Sequence, residues 1–531
     1  MFLIDSIFNA KRRRDAETIM KKFLETHGDA IHGVLECFDR LVVKGHLPIG
    51  SPGGMANLMR SHGVRISNFK DFVSSKSKEI KEHAQEIAGK AARPFISLKK
   101  KTDKDAEAKL ILAKQGHAPD GLICVFTAVE ACNSFRLGGG GDKPLQLVNE
   151  NRKCLCVYCY IMDKEFGLIH VRLQTWFPFT IQICLNGHEW LARRMDAEGL
   201  EYQKDDNCFT SLSEPTRAQA LADEFTSVGI PKKLSVLARK VNPFFGSLLA
   251  GLSYYWVAEQ AEYATDVIFN SEADLDALFP RLLDYAITRL DAKDILSFLG
   301  RKPAGNFKGD VGGRCAKRKQ GSRVRHWVEK NSIKMYRKTA VCLRVETAIN
   351  NPRDFKILRQ GTRNGVGMVG WFVMSKNVRN LPRYAEISKA ANGRYLDALA
   401  CQFNPRPAIE DMRRISETVR IGGKGYAGFN PASIEDIELF RVIMWGGNTL
   451  RGFKNKEISR ALHGATACPA EKRRRSYRVT RVLKRLHLRG LIKKAARTRL
   501  WRVTHDGWRI MGTTVSFYKE HYPQSLEMKV S

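Results

Sequence analysis

Two blocks of positive charge set the first constraint on this chain. Residues 301–340 hold 13 Lys/Arg against 2 Asp/Glu, residues 451–531 hold 21 against 5, and the other 410 residues supply only about +7 of a formal net charge of +34. Cations at that density cannot enter a core, because a charge without a partner loses its hydration on burial. Both blocks must therefore lie on surfaces, and the near-balanced remainder must build the interior. Two single-sign surfaces on an otherwise balanced globular sequence point to a polyanion, with nucleic acid the leading candidate.

At 531 residues and 43% hydrophobic, the chain is long enough for several domains with real cores. The longest apolar stretch, Leu168 to Leu185, is broken by His170, Arg172, Gln174 and Gln182, so it does not supply the roughly 20 clean apolar residues of a membrane span. Lys11-Arg12-Arg13-Arg14 follows the short apolar start, the reverse of the order in a secretory signal. A cytoplasmic protein without a membrane partner is expected. The 12 cysteines, most of them inside apolar runs, read as reduced core thiols. Cys154, Cys156 and Cys159 lie close enough to raise zinc, but no second C-x-x-C or His pair supplies the rest of a four-ligand site.

The patterning predicts a multidomain α+β chain. A basic N-terminal helix (1–28) precedes an α+β domain (29–210), in which Gly33–Lys44, Arg93–Leu98, Gly121–Val129, Cys154–Asp163 and Gly167–Ile183 read as strands. Asp71–Ala92, Asp105–Gln115 and Asn186–Glu198 read as helices, the last opened by an Asn cap. A helical region follows (211–300), with 3.6-residue spacing over Ser213–Phe225, Lys232–Val241, Tyr254–Val267, Ala273–Thr288 and Asp291–Leu299. Gly300 to Gly321 lacks apolar periodicity and reads as a long basic loop opening a central β-hairpin domain (301–420). A Gly-rich linker (421–432) leads to the C-terminal module (433–531).

In that module Ser433 caps an apolar helix, Ile434–Trp445. A short helix, Asn455–Leu462, and a long basic helix, Ala470–Arg489, follow, and Leu491–Val503 reads as a two-stranded wing. Ile434, Leu439 and Phe440 are expected to meet Ile458, Leu462, Val479, Val482, Leu483, Leu486 and Leu488 in one core. Arg473, Arg474, Arg478, Arg481 and Lys484 then face solvent, with Lys493, Lys494, Arg497 and Arg499 on the wing. A major groove admits one such helix. Through K-x-x-E-I-x-x-x-L and V-x-R-x-L-x-x-L-x-x-x-G-L-I-K-K, about 90 residues resemble the winged helix of bacterial transcription regulators of the MarR type. That resemblance implies DNA binding.

The other basic block supplies Arg301, Lys302, Lys308, Arg314, Lys317, Arg318, Lys319, Arg323 and Arg325 for phosphate contact, and runs into His326. Two strands follow, Ser332–Tyr336 and Val341–Ala348, and a hairpin between them would place Lys334, Tyr336, Arg344 and Glu346 on one polar surface. Arg344 joins the phosphate-binding set; His326, Lys334, Tyr336 and Glu346 form a candidate strand-scission site. K-x-Y-x-K followed by L-R-x-E resembles the active-site region of rolling-circle replication initiators, which implies Tyr336 as nucleophile and Glu346 as ligand to Mg²⁺ or Mn²⁺. The His-hydrophobic-His pair of that family is missing, since His170-Val171-Arg172-Leu173-Gln174 lacks the second His. Upstream, spacings of three and four put Glu259, Glu262 and Asp266 on one face of the predicted Tyr254–Val267 helix. Glu262, Asp266 and Glu346 together would make a three-carboxylate metal site. The alternative is a solvated acidic face.

Several segments, among them Cys37–Arg40, Gln174–Phe179, Asn186–Ala192, Phe298–Lys302 and Asn331–Glu346, resemble a widespread multicopy group of bacterial proteins. That resemblance implies mobile or phage-like DNA and little else. Its members commonly have Asp after K-M-Y, where this chain has Arg337. Three expectations follow: a nucleic-acid-binding protein of a mobile element, a metal-dependent nuclease or strand transferase, or an RNA-binding scaffold. The last would use Tyr158, Tyr160, Trp176 and Phe177 to stack unpaired bases.

Overall fold

A computed structural model describes residues 20–99, 102–115, 121–140, 143–301, 307–318, 321–400, 405–444, 452–495, 498 and 500–527. The chain divides into two compact units: residues 29–275 with 316–393, and residues 1–28, 276–315 and 394–531. The fold is mixed α and β, as the patterning predicts. Among the described residues no helix is long and apolar enough to cross a membrane.

The first unit is organised by one sheet of eleven strands. They are β1 (Ile31–His46), β2 (Phe95–Ser97), β3 (Gly121–Gly140), β4 (Lys143–Asp163), β5 (Gly167–Gln174), β6 (Ile181–Leu185), β9 (Tyr255–Phe269), β10 (Val311–Arg318), β11 (Gly321–Val328), β12 (Asn331–Arg337) and β13 (Cys342–Ile349). Their order across the sheet is β10-β11-β12-β13-β9-β1-β6-β5-β4-β3-β2. The hairpin β7 (Tyr202–Lys204) and β8 (Phe209–Leu212) stands apart as a two-stranded sheet. The short helix α1 (Lys21–His27) precedes the sheet, and α2 (Pro52–Ser61), α3 (Phe69–Lys90) and α4 (Lys104–Gln115) are inserted between its first strands.

Alternation along β3 and β4 sends side chains to two cores. Val125, Val157, Cys159 and Ile161 join Val73, Ile80 and Ala84 of α3, whereas Phe126, Cys154, Cys156, Tyr158 and Tyr160 join Ala108 of α4 on the other face. Cys159 thus points away from Cys154 and Cys156, as period-two alternation demands, and the three thiols share no site. The helices α5 (Gly187–Glu198), α6 (Pro215–Glu224) and α7 (Ile230–Val241) add Trp190, Leu221 and Leu237 to the larger core.

Several sequence expectations are corrected. The segment Tyr254–Val267 is not a helix but strand β9, paired with β1 on one side and β13 on the other. Its Ala and Glu content and four-residue spacings suit a helix, but residues four apart share a face in a strand as well. Two partner strands satisfy its backbone, and tertiary pairing overrides propensity. The basic segment read as a loop contains the strands β10 and β11; β10 is the outermost strand and mostly exposed, so it carries no apolar alternation. Gly167–Ile183 is two strands, β5 and β6. The Gly-rich linker holds a tight hairpin, β16 (Val419–Ile421) and β17 (Lys424–Tyr426), turning on Gly422 and Gly423 at φ of 56° and 76°. A further hairpin, β14 (Lys356–Arg363) and β15 (Val366–Val373), forms its own sheet.

Towards the C-terminus lie α8 (Glu272–Thr288), α9 (Ala292–Phe298), α10 (Leu381–Ala400) and α11 (Pro405–Ser416). They are followed by α12 (Ile434–Ile443), α13 (Asn455–His463), α14 (Pro469–Leu488), the hairpin β18 (Ile492–Lys494) and β19 (Trp501–Val503), and α15 (His505–Glu527). Ser433 caps α12, accepting from the Asp436 amide. One core gathers Ile437, Leu439, Phe440, Ile458, Val479, Leu483, Leu486, Ile492, Ile510 and Met511. Ile434, expected in that core, is 67% exposed.

Candidate functional site

The central hairpin forms as its pattern predicts: Lys334 pairs with Glu346 and Tyr336 with Arg344 across β12 and β13. On the other side of β13, Arg344 faces Asp266 of β9. This register builds a buried chain of alternating charge. Arg344 is fully buried and donates from Nε and Nη2 to the two oxygens of Asp266 at 2.6 and 2.7 Å, from Nη1 to Asp39 Oδ1 at 2.7 Å, and from Nη2 to the Asn207 carbonyl at 2.8 Å. His188 lies against the same carboxylate, its Nε2 3.1 Å from Asp266 Oδ2. It is held there by the Asn186 cap, which accepts from the His188 and Glu189 amides at the start of α5.

Two residues along the strand, Lys334 donates to Glu262 Oε1 at 2.9 Å and to Glu346 Oε1 at 2.6 Å, and the Tyr336 hydroxyl donates to Glu346 Oε2 at 3.0 Å. Burial and a carboxylate neighbour act in opposite senses here. Burial raises the Asp266 carboxyl, but the Arg344 charge and the His188 hydrogen bond outweigh it and hold Asp266 well below the usual range. Burial pushes Glu346 up to about 7 against the pull of Lys334. Burial and then the Glu346 charge push the Tyr336 phenol up, and burial alone brings His326 down to about 4.

These placements decide among the sequence candidates. Lys334, Tyr336 and Glu346 meet, but their charges are spent on one another. His326 pairs with Ile333 rather than Lys334, so it lies on the opposite face of the sheet. Arg344 cannot contact a phosphate, being fully buried with its donors aimed at Asp266, Asp39 and Asn207. Of the proposed metal trio, Glu262 and Glu346 come together, whereas Asp266 is claimed by Arg344. Asp39 takes its place: carboxylate oxygens of Asp39, Glu262 and Glu346 lie within 4.8 Å of one another. The Lys334 ammonium already bridges two of the three, so Mg²⁺ or Mn²⁺ would have to displace it. Glu259 lies on the opposite face of β9, beside Lys376. Asp39, His188 and Asn207 were not singled out as site residues, although Asp39 and His188 lie within the segments Cys37–Arg40 and Asn186–Ala192 that carry the resemblance to the multicopy group.

The basic residues divide differently. On α14, Arg473, Arg474, Arg478, Arg481 and Lys484 are exposed along one side, with Tyr477 among them, while Val479, Leu483 and Leu486 are buried. Lys493 and Lys494 are exposed on β18. A cavity of about 720 Å³ between α13, α14 and β18–β19 is lined by Lys454, Lys456, Arg460, Lys472, Arg475 and Lys494. Lys308, Arg314, Lys317, Arg318 and Arg325 are exposed, and Arg301 and Arg323 half-buried. Lys302, Lys319, Arg497, Arg499 and residues 1–19 of the expected N-terminal helix lie outside the described residues.

Three of the four aromatics suggested for base stacking are closed off by burial, and the fourth, Trp176, is half-buried. Tyr158 and Tyr160 are buried and donate to Glu130 and Asp105, Phe177 is buried, and Arg152 covers Trp176 at 4.4 Å. Comparison of the chain with protein families, with curated proteins and with solved structures gives no match.

Proposed function

We propose that the chain is a nucleic-acid-binding protein, as expected of a mobile or phage-like element, which reads duplex DNA with the winged-helix arrangement of α12–α15 and holds backbone phosphates with the basic β10–β11 ribbon. The observation that carries this reading is the two-sided α14: five exposed cations on one side, and on the other the apolar residues that fix the helix to its core. A helix so presented fits a major groove, and a wing with Lys493 and Lys494 suits the flanking backbone. The cations of β10 stand on the exposed edge of the sheet, with Arg325 exposed on the next strand, where they supply attraction without reading sequence.

Replacing Arg474, Arg478 and Arg481 together by Ala in the full chain is expected to weaken duplex binding at least tenfold. It should also flatten the salt dependence, by about 0.9 in log–log slope for each phosphate that is no longer neutralised. Unchanged affinity at moderate salt would remove α14 from this role. The enzymatic reading through Tyr336 and Glu346 is the weaker one, because a phenol pushed up by burial and bonded to a carboxylate is a poor nucleophile. Incubation with single-stranded DNA and Mg²⁺ or Mn²⁺ is expected to leave no covalent adduct. An adduct abolished by Tyr336→Phe would reverse that judgement.

A further inference from the structure

The β14–β15 hairpin carries apolar surface that the fold does not use. It turns on Asn364 and Gly365, both at positive φ, in the Asn-Gly pattern of two-residue hairpins, and pairs in register from Lys356–Val373 to Arg363–Val366. Lys356–Val373, Leu358–Trp371 and Gln360–Val369 define one face, on which Val369, Trp371 and Val373 are 62%, 50% and 56% exposed. On the other face Phe372 lies against Gly361, where a Cβ would come within 2.7 Å of its ring, and Arg359 covers that ring at 4.7 Å. A lone two-stranded ribbon is marginal in water, so a row of exposed Val, Trp and Val on it has no stabilising purpose within the chain.

The charge around the ribbon says what covers it. Residues 354–386 contain Lys356, Arg359, Arg363, Lys376, Arg379 and Arg383 against two acids, Asp354 and Glu386; Glu386 accepts from Arg383 at 2.8 Å, and Lys376 lies 3.4 Å from Glu259. Arg383 stands over the Trp371 ring at 5.2 Å, bracing the indole from one side. An apolar protein partner would not select a surround with a clear excess of cations, whereas a single-stranded nucleic acid offers both halves of the match: phosphates for the cations and base faces for the indole. A duplex hides those base faces in its stack. We propose that the β14–β15 hairpin binds single-stranded nucleic acid, with an unpaired base stacked on Trp371 and the backbone attracted by Lys356 on the same face and by the net positive charge of the ribbon. This rests on the reading of the chain as a nucleic-acid binder but uses a surface separate from α14.

The test is binding of the full-length protein to a fluorescent 20-residue oligothymidylate, to a 20-base-pair duplex, and to phosphatidylserine-containing vesicles. Trp371→Ala is expected to weaken oligothymidylate binding about tenfold or more, the usual loss for one base–aromatic stack, while Trp371→Phe keeps most of it. Duplex binding should stay within twofold, and an unchanged melting temperature would confirm that the exposed substitution leaves the fold intact. Oligothymidylate affinity unaffected by Trp371→Ala would overturn the proposal, as would Trp371-dependent binding to vesicles without binding to the oligonucleotide. Loss of duplex binding in the α14 triple variant with Trp371-dependent oligothymidylate binding intact would support both sites. If the wild-type protein bound the oligonucleotide through Trp371 but never the duplex, the hairpin assignment would stand and the winged-helix reading would fall.

Discussion

Arg344 and Arg478 carry the same guanidinium, yet they do opposite work. Arg344 sits at the centre of the sheet, fully buried, its charge answered by Asp266 and Asp39. Arg478 stands on the exposed side of α14, where water answers its charge. A buried cation is tied to stability because its desolvation is repaid only by partners in fixed geometry; an exposed one is nearly neutral for folding and available for binding. Net charge alone therefore does not locate a nucleic-acid site, and burial decides which cations can serve.

The largest expected effect breaks this comparison at its buried end. Arg344→Met would leave Asp266 and Asp39 without their counter-charge, and removal of one partner from a buried pair costs about 3–5 kcal/mol. Arg478→Ala should shift stability by no more than about 0.5 kcal/mol while weakening duplex binding. Urea denaturation and a binding titration on both variants would check the exchange of roles. Equal destabilisation by the two would dissolve the distinction.

The next effect separates two carboxylates within the buried network by pH. Asp266 is held below its ordinary value, so its contribution is present above about pH 4 and lost as pH falls. Glu346, raised from its ordinary value to about 7, works the other way: its contribution is present below about pH 4.5 and is lost as pH rises through 7. Between pH 5.5 and 8.5 Glu346 should therefore contribute a loss of stability on the order of 1–3 kcal/mol, against which His326, brought down to about 4, contributes a gain that is complete by about pH 6.5; Glu346→Gln should remove the loss and leave the gain. Urea midpoints at the two pH values measure it, and a slope unchanged in the variant would show that Glu346 does not titrate there.

Much of this arrangement was legible in the sequence, but unevenly. The β12–β13 hairpin and the face shared by Lys334, Tyr336, Arg344 and Glu346 follow from period-two alternation, and the helices of the C-terminal module follow from its apolar spacing and the Ser433 cap. What alternation cannot supply is the partner. Asp39 and His188 reach Arg344 from β1 and α5, both far from it along the chain, and nothing local in the sequence says that strands 31–46 and 342–349 flank the same β9. The exposed ribbon escapes for the opposite reason: Pro352 onward reads as mixed helix and loop, because β15 exposes apolar residues on both faces and so shows no apolar–polar alternation.

The smallest expected effect returns to β9, where spacing alone misled. On a helix Glu259, Glu262 and Asp266 would share a face and respond alike to substitution. On a strand Glu259 and Glu262 point to opposite sides. Glu262, largely buried, accepts from Lys334 at 2.9 Å; Glu259, far more exposed, lies 3.4 Å from a similarly exposed Lys376. Solvent screens the second pair, so Glu259→Gln should change stability by less than about 0.5 kcal/mol. Glu262→Gln removes one of the two negative charges that answer a mostly buried ammonium and leaves only a neutral acceptor, and a loss of about 1–3 kcal/mol is expected. Lys334 keeps Glu346, which is why the loss stays below that of Arg344→Met. Denaturation of the two single variants measures the difference, and matching losses would mean that 259 and 262 share an environment, as a helix would give and this strand forbids.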